Sequence, residues 1–246
     1  DLRAFDCEPT TKLQLRLMMH LVPRPSVVRH LRWEWIDRKA QLIRVPAAVN
    51  GMKHVKEAPK SQADYLIPLS KPALALLDEL ATHTGKGDLC FPHRSRHWEP
   101  QSNNTLLMAL KRMGWNGALP KDDPQFRPNV TVHGFRATFM TTCLQKFAKT
   151  RPQELALDVQ LDHVIPDAVR AAYLRDEHGT HRGLLIDERR DIMRQWSAFL
   201  VKCETAKPAL IVKRPKRDSA KGGRAAQAAR VTPTRRTHHK PSTVSV

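Results

Sequence analysis

The chain has 246 residues, 41% apolar and 27% charged, enough for one large domain or two small ones around a sizeable core, and neither a disordered tail nor a collagen. Its 42 Lys and Arg against 24 Asp and Glu leave a formal charge of +18, which favours a polyanionic partner, nucleic acid first, over an acidic-surface role. No apolar run approaches the roughly 20 residues of a bilayer-spanning helix and no signal-peptide pattern opens the chain, so a soluble, intracellular protein without a membrane partner is expected.

In chain order, Leu13, Leu17, Met18 and Leu21 recur at helical spacing and predict a helix from Thr11 to Val22. Pro23 ends it, and Pro25 suits the first turn of the next helix, through Val27, Val28 and Leu31. The segments Gln41–Val45 and Tyr65–Leu69 read as short strands on either side of a Lys-rich hairpin loop beginning at Asn50-Gly51. Helices are predicted from Pro72 to His83, Asn103 to Met113, Gly134 to Phe147, Pro152 to Leu161, Ala168 to Arg175 and Arg182 to Val201. The fold class is therefore mainly α, or α+β, with a small antiparallel sheet and no internal repeat. Residues 206–246 carry 11 Lys or Arg and one acid, Asp218, with no apolar periodicity, so a domain over 1–205 is followed by a basic tail predicted to be disordered. The tail reads either as an electrostatic arm or as a solvated extension. Asp1 in place of an initiator Met reads as a cut from something longer, with an upstream domain expected.

Four scattered cysteines, Cys7, Cys90, Cys143 and Cys203, form no Cys-x-x-Cys pair and read as reduced thiols. Cys90, His93 and His97 have a spacing that suits a metal but no fourth ligand of the usual kind, and neither a metal nor another cofactor is expected. The only two tyrosines are Tyr65, inside a predicted strand, and Tyr173, ten residues after His163 and bracketed by Arg170 and Arg175. A His-x-x-Arg spacing arises about once by chance at this composition, and His93-Arg-Ser-Arg96 is a second instance of it. His133-Gly-Phe-Arg136 differs in context, because it opens an apolar helix that carries both side chains on its first turn, where backbone N–H groups favour an anion.

Taken in order, Leu21-Val-Pro-Arg24, Trp33-Glu-Trp-Ile-Asp37, Met52-Lys53, Leu66-Ile-Pro-Leu-Ser70, Cys90-Phe-Pro92, His133-Gly-Phe-Arg136, Leu161-Asp-His163 and Ala172-Tyr173-Leu-Arg175 resemble the catalytic domain of a phage-type tyrosine recombinase, or integrase, over about residues 10 to 200. Ile192-Met193-Arg-Gln-Trp196 resembles its prophage branch. The resemblance implies site-specific cleavage and rejoining of double-stranded DNA at attachment-type sites through a covalent 3′-phosphotyrosine, by a tetramer on DNA, in the bacterial cytoplasm and at the nucleoid. Carried over by position, Arg24 matches the first catalytic arginine, Lys53 the hairpin lysine, His133 and Arg136 the central pair, His163 the third-box histidine and Tyr173 the nucleophile. Lys56 and Lys60 are alternatives to Lys53 on the long hairpin. Val22-Pro23 and Val27 stand where the family usually has Thr-Gly and Glu, and the family's N-terminal DNA-binding domains are not in this chain.

The chemistry explains why such residues would be needed. Attack on a phosphodiester builds negative charge on nonbridging oxygens, which two guanidiniums, here Arg24 and Arg136, can stabilise. Tyrosine, with a pKa near 10, needs a base, for which His133 is the candidate, while His163 donates to a phosphate oxygen and Lys53 protonates the leaving 5′ oxygen. Two other readings share these residues: a type IB topoisomerase-like enzyme, and a catalytically impaired DNA-binding fragment of an integrase.

Overall fold

Helix α1 spans Pro9–Leu21 and packs Leu13, Leu15, Leu17, Met18 and Leu21 out of solvent, starting two residues earlier than the sequence predicts because Pro9 is tolerated in the first turn. In the computed structural model, which describes residues 6–46, 64–163 and 183–206, α1 stops at Val22, whose φ of 49° is left-handed and whose N–H still reaches Met18 O at 3.0 Å. Pro23 disfavours helical geometry in the residue before it, and a β-branched residue in the left-handed region is strained, so the turn is held against an intrinsic cost of about 1–2 kcal/mol. The short helix α2, Pro25–Arg29, follows with Arg24 as its N-cap residue.

After a 3₁₀ turn at Trp33–Trp35 come three strands, β1 (Ile36–Asp37), β2 (Leu42–Val45) and β3 (Tyr65–Pro68), antiparallel in the order β1-β2-β3. Ile43 pairs with Ile36 on one side and Ile67 on the other. Helix α3, Lys71–Thr84, begins at Ser70, whose hydroxyl accepts from Ala73 N. The remaining described helices are α4 (Thr105–Arg112), α5 (Gly134–Lys146), α6 (Arg151–Gln160) and α7 (Ile186–Thr205). A mainly helical fold with a small antiparallel sheet is thus what the chain adopts. The last helix begins and ends four residues later than its apolar pattern predicts, and the helix expected from Ala168 to Arg175 lies outside the described residues. Among the described residues no helix is long and apolar enough to cross a membrane.

Two apolar clusters form the interior. The first joins α1, α2, the sheet, α3 and α4 through residues such as Leu17, Leu31, Ile43, Leu77 and Phe91. The second joins α5, α6 and α7 through Phe139, Cys143, Leu157, Ile192 and Trp196, with Trp196 set edge-on to Phe139 at 5.4 Å. Val22, at the end of α1, belongs to the second cluster, and the seam between the two carries the residues considered next.

Candidate active site

Four of the six residues expected to carry the chemistry lie among the described residues, and all four converge on the seam. Arg136, in the first turn of α5, is 3% exposed and donates from one terminal nitrogen to Val22 O at 3.1 Å and from the other to Leu161 O at 2.5 Å. Arg24 donates to Asp162 O at 3.2 Å. Val22 and Asp162, with φ of 49° and 51°, are both left-handed. Two strained turns, one closing α1 and one closing α6, therefore each present a carbonyl to one of the arginines, which fixes the guanidiniums relative to each other.

His133 is the N-cap residue of α5 and stands exposed, while Arg136 from the same turn is buried, so the pair divides between the mouth of the site and its floor. Desolvation first, then the positive charges of Arg136, Arg24 and His163, hold the His133 imidazole below its ordinary pKa. It is consequently neutral at neutral pH and able to accept a proton. His163 follows the α6 turn, its Nδ1 lying 3.2 Å from Asp158 Oδ1, one turn back on the helix. A carboxylate there favours Nδ1–H and leaves Nε2 to face outward. Burial depresses the Arg136 pKa, a neighbouring Arg24 depresses it further, and the carboxylate of Asp162 opposes both. Arg136 Nε is buried and has no hydrogen-bond partner among the described residues.

A buried polar network that sequence reasoning missed supports this floor. Gln160, at the end of α6, donates from its amide to Leu21 O at 3.2 Å, accepts from Arg189 Nε at 3.0 Å, and receives the Tyr65 hydroxyl on its main-chain carbonyl. Arg189, on α7, is fully buried, donates also to Leu66 O and lies with its guanidinium 5.8 Å from the Tyr65 ring centroid. Burial pushes its pKa down to about 10, against the pull of Asp162. The run Asp187-Glu-Arg-Arg-Asp191 reads as a solvated helix face, yet Arg189, Ile192, Met193 and Trp196 share one helical stripe. That spacing is the signal that places Arg189 inside.

Tyr173 and the hairpin lysines Lys53, Lys56 and Lys60 lie outside the described residues. Tyr65 is a buried sheet residue bonded to Gln160, the packing role its strand predicts. Cys90 is fully buried with a thiol pKa raised by burial, whereas His93 turns its Nδ1 toward the amides of Ser95 and Arg96. Among the described residues no group of three or more His, Cys, Asp or Glu stands close enough to hold a metal ion.

The model of the phage integrase family matches residues 4–175, and the chain belongs to that family. It is 29% identical over 200 residues to the putative protein IntB of Escherichia coli K12, covering 80% of this chain and 46% of that protein. It is 29% identical over 202 residues to the integrase of Enterobacteria phage P4, covering 81% and 42% respectively, and 28% identical over 201 residues to the E. coli prophage integrase IntA, covering 82% and 41%. The chain thus spans less than half the length of these curated relatives. No solved structure gives a significant match.

Proposed function

We propose that the chain is the catalytic part of a site-specific DNA recombinase that cleaves and rejoins duplex DNA through a covalent 3′-phosphotyrosine. The observation that carries this reading is the meeting of Arg24 and Arg136, from opposite halves of the sequence, on the carbonyls of two strained turns beside His133 and His163. A scissile phosphate set against this floor meets two guanidiniums whose geometry is already fixed by main-chain carbonyls. Such preorganised donors stabilise the charge that develops on nonbridging oxygens.

In the proposed reaction the Tyr173 oxygen attacks phosphorus and its proton passes to neutral His133. The P–O5′ bond breaks, and the 5′ oxygen leaves with a proton from Lys53, or from Lys56 or Lys60 if one of these reaches it. His163, its Nδ1–H held by Asp158, donates Nε2–H to a nonbridging oxygen as the imidazolium. Because one phosphoester replaces another, rejoining to a second 5′ hydroxyl proceeds by reversal and needs neither a nucleotide nor a metal. The domain over 1–205 carries this chemistry, and the basic tail over 206–246 adds phosphate contacts without reading bases. Attachment-type sites, a tetramer on DNA and a place at the nucleoid complete the reading.

A nicked suicide duplex tests it directly. The parent chain gives a DNA-linked band, and Tyr173→Phe, which keeps the ring and loses the hydroxyl, gives none. An adduct that persists in that variant or maps to Tyr65 rejects the assignment. DNA binding without any adduct from the parent would leave a binding fragment in place of an enzyme, and relaxation of supercoils without strand exchange would favour the topoisomerase-like reading.

A further inference from the structure

At the end of α1 remote from the candidate site, residues Pro92 to Pro100 form a loop that contributes almost nothing to the core yet is closely tied to itself. Pro92 and Pro100 bridge as paired backbone, His93 N donates to Glu99 O at 2.7 Å, Glu99 N donates to Arg96 O at 2.8 Å, and Arg96 pairs with Glu99 at 3.1 Å. His93 Nδ1 accepts from Ser95 N and Arg96 N, each at 3.3 Å. This loop holds Trp98 in solvent at 75% exposure, the largest exposure of any large apolar side chain described. A single exposed apolar residue is ordinary, but an indole fixed outward by an ordered loop is available for contact at little further entropic cost.

Beside the loop opens a cleft of about 1020 Å³, bounded by the end of α3, the start of α1 and α4. Lys86, Arg94 and Arg112 line it, all exposed, together with His83, His93 and His97, against one lining carboxylate, Glu8. Its position relative to the candidate site follows from α1, whose first residues, Thr10 and Thr11, line the cleft while Val22 at its other end lies under Arg136. Thirteen residues of helix make about 20 Å, the length of about six base pairs at 3.4 Å per step. A second link is Arg29, at the end of the helix that Arg24 opens, which donates to Gln101 O on the cleft wall at 3.2 Å.

We infer that the Trp98 loop and the adjoining basic cleft form a contact surface for the duplex about six base pairs from the reacting phosphate, with Arg94, Arg112 and Lys86 neutralising backbone phosphates and the Trp98 ring packing on the DNA. This rests on the recombinase reading above and adds to it a second point of attachment. Phosphate contacts of this kind set register and orientation and carry no base sequence. Because a duplex keeps its bases stacked on each other, the exposed indole meets sugar and groove-edge atoms, a contact tolerant of sequence.

The test uses the full chain and a 24-base-pair duplex of arbitrary sequence, with acrylamide quenching of tryptophan fluorescence and a salt titration of binding. Free parent protein shows a quenchable component that Trp98→Phe lacks, and adding duplex abolishes that component. Trp98→Ala weakens binding about five- to tenfold. Arg94→Gln combined with Arg112→Gln lowers the slope of log K against log salt by about 2, one phosphate contact being worth about 0.9. All three residues are exposed, so these variants keep the fold, which a thermal melt verifies. A parent that binds duplex while Trp98 stays equally quenchable, with unchanged affinity and slope in the variants, overturns this inference and leaves the recombinase reading standing. Protection of Trp98 by raising protein concentration without DNA assigns the surface to a second copy of the chain and also overturns it. A parent that binds no duplex at all overturns both.

Discussion

The two interior clusters are built differently. Around α1, the sheet and α3 the interior holds Leu15, Leu17, Ile43 and Leu77 at 0% exposure, and the polar side chains buried on α1, Thr11, Gln14 and His20, include no Arg, Lys, Asp or Glu. Where α5, α6 and α7 meet it, the chain buries Arg136, Gln160, Asp162 and Arg189 instead. Buried charges are costly and contribute little net stability even when paired. The first region is therefore the source of stability, and the seam spends some of it to hold guanidiniums and carbonyls in one geometry.

The sharpest way to break that comparison is Arg136→Leu. Replacing a buried cation by an apolar side chain of similar reach removes its desolvation cost but leaves the carbonyls of Val22 and Leu161 without their donor, so unfolding stability should fall by about 1–3 kcal/mol. Covalent cleavage should fall by at least 10²–10³-fold, the order lost when one preorganised transition-state donor is removed. Single-turnover cleavage and a urea melt of the same sample check both halves. Normal cleavage wherever the melt shows the variant folded would show that the seam is structural.

Leu77→Ala in the first cluster should lose stability without losing cleavage. Removing a fully buried leucine costs about 2–5 kcal/mol, depending on how far the site collapses. Cleavage at a temperature where the variant remains folded should stay within a few-fold of the parent. A fall as large as that of Arg136→Leu would mean the two clusters are not functionally separable.

The third effect concerns acid. His20 on α1 is buried, with Nδ1 2.9 Å from Ser197 Oγ, and burial lowers its pKa to about 4 from 6.5. The folded state holds it neutral while the unfolded chain protonates it. Its contribution is thus fully present above pH 6.5 and is lost as pH falls toward 4. The integral is about 3 kcal/mol. Urea midpoints between pH 7 and 4 should fall more steeply in the parent than in His20→Gln. Parallel curves would show that His20 is not held neutral.

The contrast between the regions also explains how far the sequence could be read. The helices of the first cluster announce themselves by apolar spacing, as Leu13, Leu17 and Leu21 do for α1, and the two longer strands by their short apolar runs. Strand β1 does not, because two residues, Ile36 and Asp37, carry no period. Most of the seam is legible only by resemblance, residue by residue: the burial of Gln160 depends on a partner 29 residues away in sequence, and only the stripe shared with Ile192, Met193 and Trp196 marks Arg189 as interior. Likewise, nothing in Val22-Pro23 or Asp162 announces a left-handed turn, because glycine, the residue that signals one, is absent from both.

The smallest effect predicted lies where α3 and α7 touch. Ser70 accepts from Ala73 N at 3.4 Å as the cap of α3, and its hydroxyl lies 2.7 Å from Ser197 Oγ, which in turn reaches His20. One proton order satisfies the whole chain: Ser70 donates to Ser197, and Ser197 donates to the unprotonated Nδ1 of neutral His20. Ser70→Ala should cost about 1 kcal/mol as a lost cap at pH 7. It should cost less in the His20→Gln background, because residues sharing a hydrogen-bond network are coupled, typically by 0.5 kcal/mol or more. A double-mutant cycle from urea unfolding measures the difference. Strict additivity would show that Ser70 acts on its helix alone and that His20 is held neutral by burial without help from the hydroxyl chain.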